Sequence, residues 1–248
     1  MDASQKIRHA VSQVAKQRER CLEDPVLKQA VTAVKRFQAR RFAATYADLL
    51  ASEPYCQPAR FFLDELYGAR DFSLRDLQFA RIAGALQRIF PREASATAVA
   101  LAELHALSEQ LDFSMGQTWS QLKVAPNTSD TARYVATWRA VDHRTARNAQ
   151  LRAVLALGRE IEKLTQTKGL GLMLKMMRGP AAAAGLGELQ SFLESGFEKF
   201  WAMSKKKGLA TEFLNIIERR ESSWLQQLFD ADPVACATKL EITLGQAR

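Results

Sequence analysis

The sequence predicts an all-α fold, a single multi-helix domain of about eight to ten helices with no β-sheet, and three observations lead there. Apolar residues recur near every 3.6 positions along the 248-residue chain, which is the spacing of a buried helix face. No segment shows the strict two-residue alternation of a half-buried strand. Two Asp-Pro pairs, Asp24-Pro25 and Asp232-Pro233, join a side chain that caps a helix N-terminus to a ring suited to the first helical position.

The first helix is expected over residues 4–21. Asp24-Pro25 opens a second that runs to about Leu50, with Leu27, Val31, Val34, Gln38, Arg41 and Thr45 on one line. Pro54 and Pro58 break it. A short helix follows from about Ala59 to Tyr67, stopped by Gly68, and the next runs from Ser73 to Ile89. A long helix from about Ser95 to Leu122 shows Leu104, Leu107, Leu111 and Met115 on one face. After the turn cluster Pro126–Ser129, helical character continues to about Thr167, with a poorly apolar stretch, Asp142 to Gln150, that reads as exposed or kinked. A loose Gly/Met segment (168–178) leads to a helix from Pro180 to about Lys205, another over 209–230, and a last one opened by Asp232-Pro233. The reading is one domain over 1–248. Two lobes, 1–122 and 130–248, meeting near Lys123 to Asp130, are the alternative.

Composition excludes several classes. With 47% hydrophobic and 25% charged residues, the chain is an ordinary globular one. Its N-terminus has charges every few residues and no apolar core, unlike a signal peptide. The most apolar stretch, 169–187, is interrupted by Lys175, Arg178 and Pro180, and no transmembrane segment is expected. The cysteines, Cys21, Cys56 and Cys236, are odd in number and far apart, which suits a reducing compartment and a cytoplasmic location.

The segment Arg60–Arg81 is the most distinctive. Phe61-Phe62-Leu63-Asp64-Glu65-Leu66-Tyr67 resembles the signature of a bacterial family, the FFLEELY-motif proteins, with Asp64 in place of Glu. The run from Ala184 to Met203 and Phe213–Glu221 are also similar to that family's C-terminal half. The resemblance implies a shared fold and carries no activity.

Read from its residues, the segment is a corner between two helices. Gly68 ends the first, tolerating positive φ. Ser73 is placed to cap the second, with Asp76 completing a weak capping box and Phe72 and Leu77 a hydrophobic staple. Arg60 and Asp64 have the spacing of an ion pair. The competing reading makes Arg60, Asp64, Tyr67, Arg70, Arg75 and Asp76 the lining of a site around the turn.

Catalytic chemistry is not nominated. His105 shares a helix face with Glu109 and Asp112, yet no Glu-x-x-His pair of the di-iron kind is present. No nucleophile elbow, phosphate loop or zinc motif occurs, so no cofactor or metal is expected and an enzyme is disfavoured. Gly179, Ala183 and Gly187 recur every four residues, as where another helix approaches closely. The helix from Pro180 has an apolar arc too wide for a surface helix. With the methionines upstream, Met173, Met177, Phe192, Phe197 and Trp201 are candidates to line an apolar pocket.

Charge is uneven. Residues 1–41 hold ten Lys/Arg against four acids, so six of the eight net positive charges lie there. Lys28, Lys35 and Arg36 are the candidate anion patch. The leading expectation is a non-enzymatic binding or regulatory protein that uses a surface patch or an apolar pocket, its partner a protein or an apolar small molecule. Nucleic acid bound through the basic N-terminal helices is one alternative, and an enzyme with no recognisable motif is the other.

Overall fold

In the computed structural model, which describes residues 1–66, 71–206 and 208–245, the chain folds into helices with no strand among the described residues. They are α1 Ala3–Glu23, α2 Pro25–Thr45, α3 Ala47–Ala51, α4 Cys56–Phe61, α5 Ser73–Ile89, α6 Arg92–Gln121, α7 Asp130–Val141, α8 Arg144–Thr165, α9 Leu170–Met176, α10 Arg178–Ala183, α11 Gly187–Ser204, α12 Leu209–Asp230 and α13 Pro233–Gly245. A π-helical turn, Phe62–Leu66, extends α4.

Thirteen α-helices among the described residues exceed the eight to ten expected because three continuous patterns are interrupted, one of them between α7 and α8, and because the loose Gly/Met segment forms α9. The second helix stops at Tyr46 before α3 resumes. The pattern from Pro180 breaks after Ala183, where Gly185 takes φ +66°, a conformation open to glycine without a Cβ clash.

Both Asp-Pro signals cap as expected. Asp24 accepts the amides of Val26 and Leu27 at 3.0 Å, and Asp232 accepts those of Val234 and Ala235 at 3.0 and 2.9 Å.

The 30-residue α6, about 45 Å long at 1.5 Å per residue, is the spine. Helices α1 and α2 pack along it on one side and α8 on another. α11 and α12 lie on α8, α5 lies between α1 and α11, and α13 rests on α2 and α7. Two apolar clusters fill the interior. The larger includes Ile7, Phe61, Leu104, Val154, Phe200 and Phe213. The smaller includes Val34, Met115, Trp119, Tyr134, Trp224 and Leu240. Each draws residues from before 122 and from after 130.

A charged layer separates the clusters. Helix α6 passes from Leu104 in one to Met115 in the other, and carries Asp112 between them. Helix α12 passes from Ile217 to Trp224 and carries Glu221 between them. Opposite lie Gln38 and Arg41 of α2 and Arg147 and Gln150 of α8, all buried. Arg41 grips Glu221 with both Nη atoms, at 3.1 and 2.9 Å, and Tyr46 Oη donates to the same carboxylate at 2.9 Å. Gln38 Nε2 donates to Asp112 at 2.9 Å, Arg147 Nη1 to Gln150 Oε1 at 3.1 Å, and Gln150 Nε2 to Ser108 Oγ at 2.8 Å. Paired and hydrogen-bonded charges are the form in which an interior tolerates them.

The stretch Asp142 to Gln150 is therefore kinked at one end and buried at the other. Asp142 has φ +46° and ends α7, while Arg147 and Gln150 face inward toward the layer rather than solvent.

Candidate functional site

The π-helical turn that ends α4 places Phe61 and Phe62 inside the larger cluster. There they meet Phe200 of α11 edge-on at 6.2 and 5.6 Å, and Phe61 stacks on Phe192 at 5.5 Å. Gly196 makes this approach feasible, because a Cβ there would lie 2.9 Å from Phe61 Cζ.

Beside these rings lies a cavity of ≈ 130 Å³ between α4, α5, α6, α8, α9 and α11, walled by side chains such as Phe79, Leu101, Ile161, Leu174, Phe192 and Phe197. Among the described residues, Thr97 and Thr165 bring the only side-chain hydroxyls to its wall. Both are occupied, Thr97 donating to Glu93 O at 2.9 Å and Thr165 to Glu162 O at 2.6 Å. Water needs two to four polar partners to stay in such a space, and a cavity of about 150 Å³ lined by Leu, Ile and Phe stays dry and binds benzene.

Of the five pocket residues expected from sequence, Phe192 and Phe197 line this cavity. Trp201 is 45% exposed and lines an adjoining surface groove. Met173 and Met177 are half-buried and line neither. They sit on α9 and just after it, where Leu170 and Leu174 face inward instead. The stripe Gly179, Ala183 and Gly187 receives no helix, for a Cβ at Gly179 or Gly187 would meet nothing within 4 Å. Close helix approach occurs at Gly171 against Phe197 and at Gly196 against Phe61.

The Arg60–Arg81 segment divides. Tyr67, Gly68 and Arg70 lie outside the described residues. Arg60 and Asp64 are exposed and form no ion pair, since the π-helical turn begins between them and takes Asp64 off the line of Arg60.

Ser73 is the first residue of α5 and not its cap. Asp71 accepts its amide at 2.9 Å and also its hydroxyl, while the Phe72 carbonyl accepts the amide of Asp76. The staple is not made, because Leu77 is 64% exposed. Phe72 instead receives the Arg75 guanidinium, 4.1 Å from its ring centroid.

Arg75 and Asp76 are brought together as a fastening. Arg75 Nη1 donates to Glu65 O at 3.1 Å, and the guanidinium carbon lies 4.5 Å from the Phe192 ring centroid. Asp76, buried, meets Arg18 of α1 at 2.8 Å and His105 of α6 at 2.9 Å. Burial pushes the Asp76 carboxyl up, but the hydrogen bonds and charges of His105 and Arg18 outweigh it and hold the group below the usual carboxylate range. A folded-state pKa below the unfolded one gives stability that is present above the unfolded value and lost as pH falls through the folded one. Asp76→Asn should therefore destabilise the protein by about 1–3 kcal/mol at pH 7. Its deficit relative to wild type should shrink as pH drops below about 4, read from urea midpoints at each pH. A deficit independent of pH would show that Asp76 acts through shape alone.

The remaining candidates are accounted for by their partners. Glu109 takes Lys35 at 2.5 Å, and Asp112, whose carboxyl burial pushes up, lies in the charged layer. The line His105, Glu109 and Asp112 is thus divided among Asp76, Lys35 and Gln38. No group of three or more His, Cys, Asp or Glu among the described residues could hold a metal ion. Lys35 is neutralised, leaving Lys28 and Arg36 exposed on α2. No helix among the described residues is long and apolar enough to cross a membrane.

Sequence reading missed Gln78, whose Oε1 accepts the Leu189 amide at 2.8 Å near the start of α11. It also missed most of the cavity wall. The signal for the charged layer was visible, since Gln38 and Arg41 stand on the apolar line of α2.

No curated protein and no solved structure matches the chain. A family model described as Domain of unknown function (DUF8198) matches residues 17–235, most of the sequence, and the chain belongs to that family.

Proposed function

We propose that the protein is a non-enzymatic binding protein that takes a small apolar molecule, or the apolar part of a larger one, into the cavity between α6, α8 and α11. One observation carries this reading. Among the described residues, the ≈ 130 Å³ space is walled mostly by apolar side chains, and the two hydroxyls that reach it are already hydrogen-bonded. Interiors pack to crystal-like density with few voids larger than a water molecule, so an apolar space of this size left unfilled by side chains forfeits dispersion contacts that a ligand would restore.

Benzene offered to the full chain should raise its thermal midpoint, because a ligand that binds only the native state stabilises it by about 1.4 kcal/mol at ten times its Kd. Ala98, on the wall contributed by α6, gives the control. Ala98→Leu should fill part of the space and abolish the shift while leaving the circular dichroism unchanged. No shift in the wild-type protein at saturating benzene would remove the cavity as a binding site.

A further inference from the structure

The apolar cavity has a charged neighbour. A surface groove of ≈ 700 Å³ runs along the end of α8, α9 and α11, and Thr165, Leu174 and Phe197 belong to the walls of both spaces. Phe197 is the partition. Its half-buried ring rests on Gly171, where a Cβ would lie 2.7 Å from its Cε1. The segment carrying Leu170, Gly171 and Leu174 starts at Gly169 with φ +82° and ends at Gly185 with φ +66°. It is clasped to α11 by Gln190 Nε2 donating to Leu174 O at 2.6 Å and by the Arg178–Glu194 pair at 2.7 Å.

Among the described residues, five charges line the groove, namely Lys168, Lys175, Lys205, Glu194 and Glu198. Both acids are engaged, Glu194 by Arg178 and Glu198 by Lys175 at 3.6 Å. Among the described residues Lys168 and Lys205 have no carboxylate partner. Lys205 Nζ lies 3.6 Å from the ring centroid of Trp201, which with Leu172 gives the groove an exposed apolar side, 45% and 65% accessible. The groove therefore presents two unbalanced cations and an apolar ledge directly outside an apolar hole.

We propose that the ligand is an anionic amphiphile, a chain of roughly eight to twelve carbons with a carboxylate or phosphate head, whose tail enters the cavity past Phe197 while its head sits between Lys168 and Lys205. The proposal rests on the cavity reading above and adds the chemical class of its occupant. A space close to the one that takes benzene holds about six carbons, so the rest of the chain crosses the Phe197 partition onto Trp201 and Leu172. A neutral hydrocarbon leaves the two lysines unmatched, and a cationic amphiphile meets them with like charge.

The test is titration calorimetry of the full chain at low salt, below micelle formation, with decanoate, decyl phosphate, decanol and benzene. At least one of the two anions should bind about tenfold or more tighter than decanol, weakening as salt screens the head group, and the better of the two identifies the head. In Lys168→Glu/Lys205→Glu, both exposed positions, that preference should vanish while benzene binding is unchanged. Equal affinity for decanol and the anions, or an anion preference that survives the double substitution, would overturn the proposal. Binding of benzene without either anion would also overturn it and leave the cavity reading standing. Failure of benzene to bind would overturn both.

Discussion

Glu221→Ala is expected to be among the most destabilising single substitutions in this protein, at about 3–5 kcal/mol. Removing the carboxylate leaves Arg41 buried beneath Phe42, whose ring centroid is 4.3 Å from the guanidinium carbon, and strips the Tyr46 hydroxyl of its acceptor. Burial pulls the Arg41 pKa down and Glu221 more than offsets it; the variant loses that offset, yet a guanidinium is not deprotonated in proteins, so a buried charge is left without its carboxylate. Guanidinium midpoints should show the loss with little change in slope. Arg41→Met combined with Glu221→Leu should recover much of it, because a well-packed apolar pair often replaces a buried ion pair at little cost. If the single and double variants were equally unstable, the layer would matter through volume and not through charge.

Phe200→Ala should cost a comparable ~3–5 kcal/mol. The side chain is 1% exposed and touches Phe61 and Phe62 edge-on, and it also forms part of the cavity wall. Truncation removes a buried ring and enlarges a space the surrounding helices already fail to fill. Part of the loss should return on adding benzene, whereas Trp201→Ala, one position along and 45% exposed, should stay within about 0.5 kcal/mol. A Phe200→Ala protein as stable as wild type would mean that the helices collapse onto the gap and that the cavity is not held open by its frame.

The helical class, most helix positions and both Asp-Pro caps were legible along the chain, because periodicity and capping are local and act within a few residues. So were the places of Phe192 and Phe197 on an inward face of α11, and of Gln38 and Arg41 on the buried line of α2. Only the tertiary structure decided the rest. Whether a cavity exists depends on how six elements distant in sequence pack around Phe61 and Gly196, and no window of sequence contains that. Asp76 read as a capping residue because a carboxylate three positions after a serine has that local role. Its partners, Arg18 and His105, arrive from α1 and α6, far from it along the chain. Lys35 read as part of an anion patch for the same reason, since Glu109 reaches it only once α2 lies along α6. Local chemistry is legible from spacing, while long-range pairing of charges and the spaces left between helices belong to the packing.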